Sequence, residues 1–259
     1  MRKSIILACL LILMGAISSA QDLTIWFGNA DGSTIICRVN SDITVPVWIQ
    51  TNQDVYIAAV HIPLSSNNAF ISERKGGELY EPFKNDYPPE GYDRGWDVAE
   101  IHDPVPHKGK PGFTSQGMLG FMNLAGKPNE PLHCSDKCKI IEFYMHTAGD
   151  DSLKGHTYDV FTEGYEDRSL GLNLSDTLGT VTFKPDARYS RVHFLFPGDV
   201  DGDFKITEAD LTALEEHLDN GKDIPWPEER ADCNDDGKVN DKDYKYLDKY
   251  LHDGGKAPE

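Results

Sequence analysis

The sequence predicts a mainly β chain: an antiparallel β-sandwich followed by a small α-helical module built on two acidic loops. Three observations predict it. Between residues 22 and 196, short apolar or alternating runs are separated by Gly, Asn, Asp and Pro, the pattern of strands and turns. At Pro197-Gly198 the chain changes to helical spacing. Beyond that point two segments repeat at an offset of 33 residues.

The chain begins with Arg2 and Lys3, a short apolar run Ile5–Ile17, and the small residues Ser18-Ser19-Ala20. This is the pattern of a signal peptide cleaved near Ala20, so residues 1–20 are set aside and a secreted, extracellular or cell-surface location is expected. No later apolar run is long enough for a membrane span. The formal net charge of −18 argues against nucleic acid and anionic membrane as partners. The sandwich is expected over 21–190. Its strands are Leu23–Gly28, Thr34–Val39, Ile43–Thr51, Val55–Ser65, Ala69–Lys75, Gly117–Leu124, Cys138–Thr147, Tyr158–Glu163 and Leu178–Lys184. Residues 76–116 carry little strand signal and read as a long loop, unusual in a compact domain and either a functional excursion or the site of a missed short element. Residues 191–197 read as a linker or last strand, and 198–259 as the module.

The module holds 19 Asp+Glu against 8 Lys+Arg, an excess that suits either a solvated tail or a cation site. Spacing decides between them. Side-chain oxygens fall at loop positions 1, 3, 5, 9 and 12 twice: Asp199, Asp201, Asp203, Thr207, Asp210, then Asp232, Asn234, Asp236, Asn240, Asp243. With a backbone carbonyl from position 7, Lys205 and Lys238, this is the ligand order of a calcium loop, and two ions are expected. Position 8, Ile206 and Val239, suits a short backbone bridge between the loops, and position 2 of the second loop, Cys233, is expected to point outward. After each loop, Leu211, Leu214 and Leu218 match Tyr244, Leu247 and Leu251 on one helical face. Such short helices are unstable alone, so folding is expected to be coupled to calcium. The second loop has the Gly that position 6 wants, Gly237; the first has Phe204 there, so that loop is either weaker or has Phe204 packed on the β domain.

These two loop–helix units, without an entering helix and with Asp at position 12, resemble the type I dockerin, the duplicated module that plugs secreted bacterial proteins into cohesin domains. The resemblance implies calcium at the two ligand sets above. It implies a cohesin-type partner read through positions 10 and 11, Glu208-Ala209 and Asp241-Lys242. Dockerin-like repeats also occur without such assemblies, which leaves an intramolecular role against the β-sandwich open. In the β region, Asp42-Ile43-Thr44-Val45-Pro46-Val47, the run Val55–Ser65 and Asp176–Val181 resemble the cohesin and carbohydrate-binding sandwich superfamily, implying a jelly-roll-like fold.

The remaining chemistry is sparser. Tyr80, Phe83, Tyr87, Tyr92 and Trp96 suit either polysaccharide stacking or a small satellite core, and Asp97, Glu100, His102, Asp103 and His107 match no known metal or catalytic spacing. Gly-x-Ser-x-Gly and His-Glu-x-x-His are both absent. Acidic pairs for glycoside hydrolysis are separated in space rather than in sequence, so spacing does not test them. A disulfide between Cys134 and Cys138 is expected, with half a zinc site, His133 included, as the alternative; Cys37 and Cys233 either pair across the boundary or stay free. The expectation is a non-catalytic, calcium-dependent adaptor. A dockerin-delivered carbohydrate-binding module, or a polysaccharide hydrolase with its site in 76–116, is the alternative.

Overall fold

A computed structural model describes residues 23–51, 59–67, 69–80, 96–106, 112–122, 134–160, 173–175, 182–183, 186–188 and 190–258. The chain is mainly β, with two helices near its C-terminal end. The strands are β1 Leu23–Phe27, β2 Ile35–Cys37, β3 Asp42–Thr51, β4 Ala59–Asn67, β5 Ile71–Leu79, β6 Trp96–Pro106 and β7 Phe113–Met122. They continue with β8 Cys138–Thr147, β9 Thr157–Val160, β10 Asn173–Ser175, β11 Thr182–Phe183, β12 Asp186–Arg188 and β13 Ser190–Phe194, before α1 Glu208–Asn220 and α2 Asp241–Asp253.

Among the described residues the strands form two five-stranded sheets, β12-β1-β3-β8-β5 and β11-β10-β4-β7-β6, and a three-stranded sheet β2-β13-β9. Most pairings are antiparallel; β1–β12 and β2–β13 are parallel. These two join strands distant in sequence, as parallel pairing requires. Alternation in β3 turns Ile43, Val45, Val47 and Ile49 into the core while Thr44, Pro46, Trp48 and Gln50 face outward. Pro46 is tolerated beside the end of β1. Its carbonyl accepts from Gly28 N–H at 2.8 Å, so its donorless nitrogen faces the side where β1 has stopped. Opposite, a register shift skips one residue of β8, and Ile140 and Ile141 are both fully buried. Phe70, Tyr158 and Phe194 close the core as a ring cluster, with Phe70 and Tyr158 stacked at 4.9 Å and Phe194 edge-on to both.

The expected long loop 76–116 is corrected. β5 continues to Leu79, β6 fills Trp96–Pro106 and β7 starts at Phe113. β6 hides its strand character because it is a sheet edge, where Pro104 and Pro106 are tolerated, and its register shifts between His102 and Val105. β5 carries Gly76-Gly77 for a different reason: a Cβ on Gly77 would stand 2.0 Å from the Glu142 carbonyl oxygen. β13 fills Ser190–Phe194 at the centre of the third sheet.

The C-terminal part has its own core. Val200, Leu211, Leu214, Ala231, Cys233 and Leu247 are buried together, with Ile206, Leu218, Val239, Tyr244 and Leu251 packed against them. Each helix starts on a capping box, Thr207 with Asp210 and Asn240 with Asp243, and ends on a left-handed glycine, Gly221 and Gly254, both at φ 67°. Two expectations fail here. Cys233 is 1% exposed, because position 2 of each loop, Val200 in the first, turns inward under the helices. No backbone hydrogen bond joins Ile206 to Val239 among the described residues; the two contribute side chains to the core instead. Cys134 and Cys138 form a disulfide, while Cys37 and Cys233 are free and buried, and burial pushes each thiol up to about 12.

Candidate metal centre

The two loops close by the same hydrogen bonds. In the first, the Asp210 carboxylate accepts from the backbone N–H of Asp201 at 3.1 Å and of Thr207 at 2.7 Å. In the second, Asp243 accepts from Asn234 at 3.2 Å and Asn240 at 2.9 Å. Position 12 therefore clamps positions 3 and 9 twice over, as well as capping its helix. The backbones agree too. Positions 4 and 6 are left-handed in both loops: Gly202 at φ 81° and Phe204 at 66°, Asp235 at 60° and Gly237 at 78°.

The loops differ in how their oxygens are used. In the first, Asp199, Asp201 and Asp203 bring carboxylate oxygens within 4.8 Å of one another. Asp199 is 1% exposed, and its Oδ1 has no hydrogen-bond partner. Its Oδ2 lies 3.4 Å from Nη1 of Arg230, which also donates to the Asp199 carbonyl at 3.1 Å. Burial pushes the Asp199 carboxyl above its usual range against the opposing pull of Arg230, and burial raises Asp210 and Asp243 likewise. In the second loop, Asp232 accepts from the N–H groups of Asp236 at 3.0 Å and Gly237 at 2.8 Å. Lys242 Nζ holds Asp236 Oδ2 at 3.0 Å and lowers that carboxyl. Asn234 Nδ2 is buried without a partner.

These residues fit a hard cation. Oxygens bound to one calcium at roughly 2.3–2.6 Å lie at most about 5 Å apart, the spread of the three gathered carboxylates. A buried carboxylate oxygen without a donor is costly unless a positive charge meets it. Lys205 is exposed, its N–H donating to Asp203 at 2.9 Å, and the Lys238 carbonyl accepts from the Asn240 amide at 3.3 Å. Glu208, Ala209, Asp241 and Lys242 are exposed on the first turns of α1 and α2.

Sequence reasoning missed Arg230 and two of the contacts between the two parts, Arg38–Asp235 and Trp226–His193; the packing of Phe204 on the β domain was one of its two expectations, and it is what the structure has. Arg38 pairs with Asp235 at 2.7 Å. Trp226 packs on His193 at 4.9 Å between ring centroids, and Phe204 stacks on His156 at 5.2 Å. A lone Arg in Pro-Glu-Glu-Arg carries no signal of a buried partner 31 residues away. Among the residues singled out in 76–116, Tyr80 donates to Glu142 at 2.7 Å, Trp96, Asp97, Glu100, His102 and Asp103 lie on β6, and Phe83, Tyr87, Tyr92 and His107 lie outside the described residues. His133 lies outside them too.

The C-terminal part is thus a duplicated loop–helix module with clustered oxygen donors. Its particular kind follows from comparison: residues 197–252 match the model of the dockerin type I domain. No curated protein matches the chain. Among solved structures, the sixth cohesin of scaffoldin B from Acetivibrio cellulolyticus, in complex with a dockerin, is 11% identical. It covers 67% of this chain and 99% of its own, with a TM-score of 0.44. A type I cohesin–dockerin complex from Clostridium thermocellum is 13% identical over 68% of this chain and 100% of its own, at 0.42. A non-cellulosomal cohesin from the archaeon Archaeoglobus fulgidus is 14% identical over 68% and 92%, at 0.37. Among the described residues, no helix is long and apolar enough to cross a membrane.

Proposed function

We propose that this is a secreted docking protein whose module, residues 198–259, folds around two calcium ions and binds a cohesin-type domain. The sandwich, 21–190, is the non-catalytic cargo or spacer, and 191–197 joins the two. The observation that carries this reading is the pair of loops closed alike by Asp210 and Asp243, inside a segment that matches the dockerin type I domain. The ligands are Asp199, Asp201, Asp203, Thr207 and Asp210 with the Lys205 carbonyl, and Asp232, Asn234, Asp236, Asn240 and Asp243 with the Lys238 carbonyl. Glu208, Ala209, Asp241 and Lys242 are exposed and available to read the partner.

The test is calorimetric binding of the chain to a panel of type I cohesin domains, in calcium and in chelator. Binding in calcium that disappears in chelator is the expected result. A second reading is favoured by the Phe204–His156 and Arg38–Asp235 contacts: the module caps its own sandwich. Calcium binding with no cohesin bound at all would overturn the first reading in favour of the second.

A further inference from the structure

We propose that the sandwich completes the first calcium loop: Gly155 and His156 hold Phe204 in the left-handed conformation that loop needs, which raises its calcium affinity and leaves the second loop untouched. This rests on reading 199–210 as a calcium loop.

Position 6 is left-handed in both loops. In the second loop it is Gly237, which adopts that conformation freely and would meet nothing within 4 Å even with a Cβ. In the first it is Phe204, at φ 66°. For a bulky side chain this conformation is a minority state of an unrestrained chain, disfavoured by about tenfold. A ligand that needs a minority state binds more weakly by the fraction populated, and whatever holds that state in advance restores the affinity.

The sandwich supplies the hold. The Phe204 ring lies stacked on His156, at 5.2 Å and 29° between planes. It also lies over Gly155, where a Cβ would stand 2.6 Å from Cε1 of the ring. Gly155 is left-handed at φ 77°, so both its conformation and its bareness suit this approach. The shelf is anchored: Gly155 N–H donates to the Phe194 carbonyl at 2.8 Å, and Phe194 N–H returns to the His156 carbonyl at 3.0 Å. Phe204 remains 53% exposed, so the contact fixes a ring over a surface rather than filling a core. Coupling is reciprocal, so calcium in the first loop tightens the module against the sandwich by the same factor.

The test uses the full chain, titrated with calcium alone and followed at the amide resonances of Phe204 and Gly237, one in each loop. His156→Ala changes an exposed residue, and the second loop reports whether the module is folded. Removing the ring stack is expected to weaken the first loop about three- to tenfold, with no change at Gly237. Phe204→Gly needs no shelf, so adding His156→Ala to it is expected to change nothing. The inference is overturned if His156→Ala leaves the first loop unchanged, or weakens it equally in the Phe204→Gly chain. Failure of calcium to bind either loop would instead overturn the calcium reading, and the inference with it.

Discussion

Replacing Asp210 by Ala tests the clamp that closes the first loop. The carboxylate is fully buried and accepts two backbone N–H groups, from Asp201 at 3.1 Å and Thr207 at 2.7 Å. Both bonds are part-buried, so water can reach the freed donors; at about 0.5–1.5 kcal/mol each, Asp210→Ala should destabilise the chain by about 1–3 kcal/mol before any lost calcium ligand is counted. Asp210→Asn keeps one acceptor oxygen and should lose about half as much. Asp243→Ala should match Asp210→Ala, because its two bonds are the same in kind. The assay is urea unfolding in saturating calcium, followed by far-ultraviolet circular dichroism, which reads α1 and α2. An unchanged midpoint for Asp210→Ala would refute the reasoning, since it would leave the loop closed without its clamp.

Three further predictions follow from the same contacts. Arg230→Met removes the donors that hold the Asp199 carboxylate and carbonyl and should cost about 1–3 kcal/mol in the same assay, because the buried carbonyl loses its donor while calcium still faces the carboxylate. Cys134→Ser opens a short disulfide loop and should cost about 2 kcal/mol by calorimetric melting. His193 is held below the usual histidine range first by burial, then by Arg230 and His156. Its contribution is therefore full above the ordinary value of about 6.5 and is lost as pH falls from there towards the lower folded value. Urea midpoints should drop across that window, and His193→Gln should flatten the slope.

The two loops were legible because the residues that build them follow one another along the chain. Five oxygen positions at fixed spacing, repeated once, leave little else for the segment to be, and the helices follow from the same capping residues. Phe204 was legible as a problem, since position 6 demands an unusual backbone; its solution on His156 was not, because nothing in sequence links residues 48 apart. The strand β6 was hidden by Pro104 and Pro106, which a sheet edge tolerates but a pattern reading penalises. Cys233 was misplaced because ligand spacing says which residues face the ion and nothing about which face the helices.

The parallel pairings β1–β12 and β2–β13 also govern how the molecule carries tension. A load that drew the C-terminal module away from β1, as a docked partner would under flow, has a defined path. That pull enters the sandwich along β13 in the chain direction, while its opposite acts backwards along β1 and β2. Parallel neighbours dragged this way slide past each other, so the hydrogen bonds of a pair must yield together rather than open one after another. Forced unfolding is a matter of rate, and a tether joined in shear lets go more slowly than one that unzips.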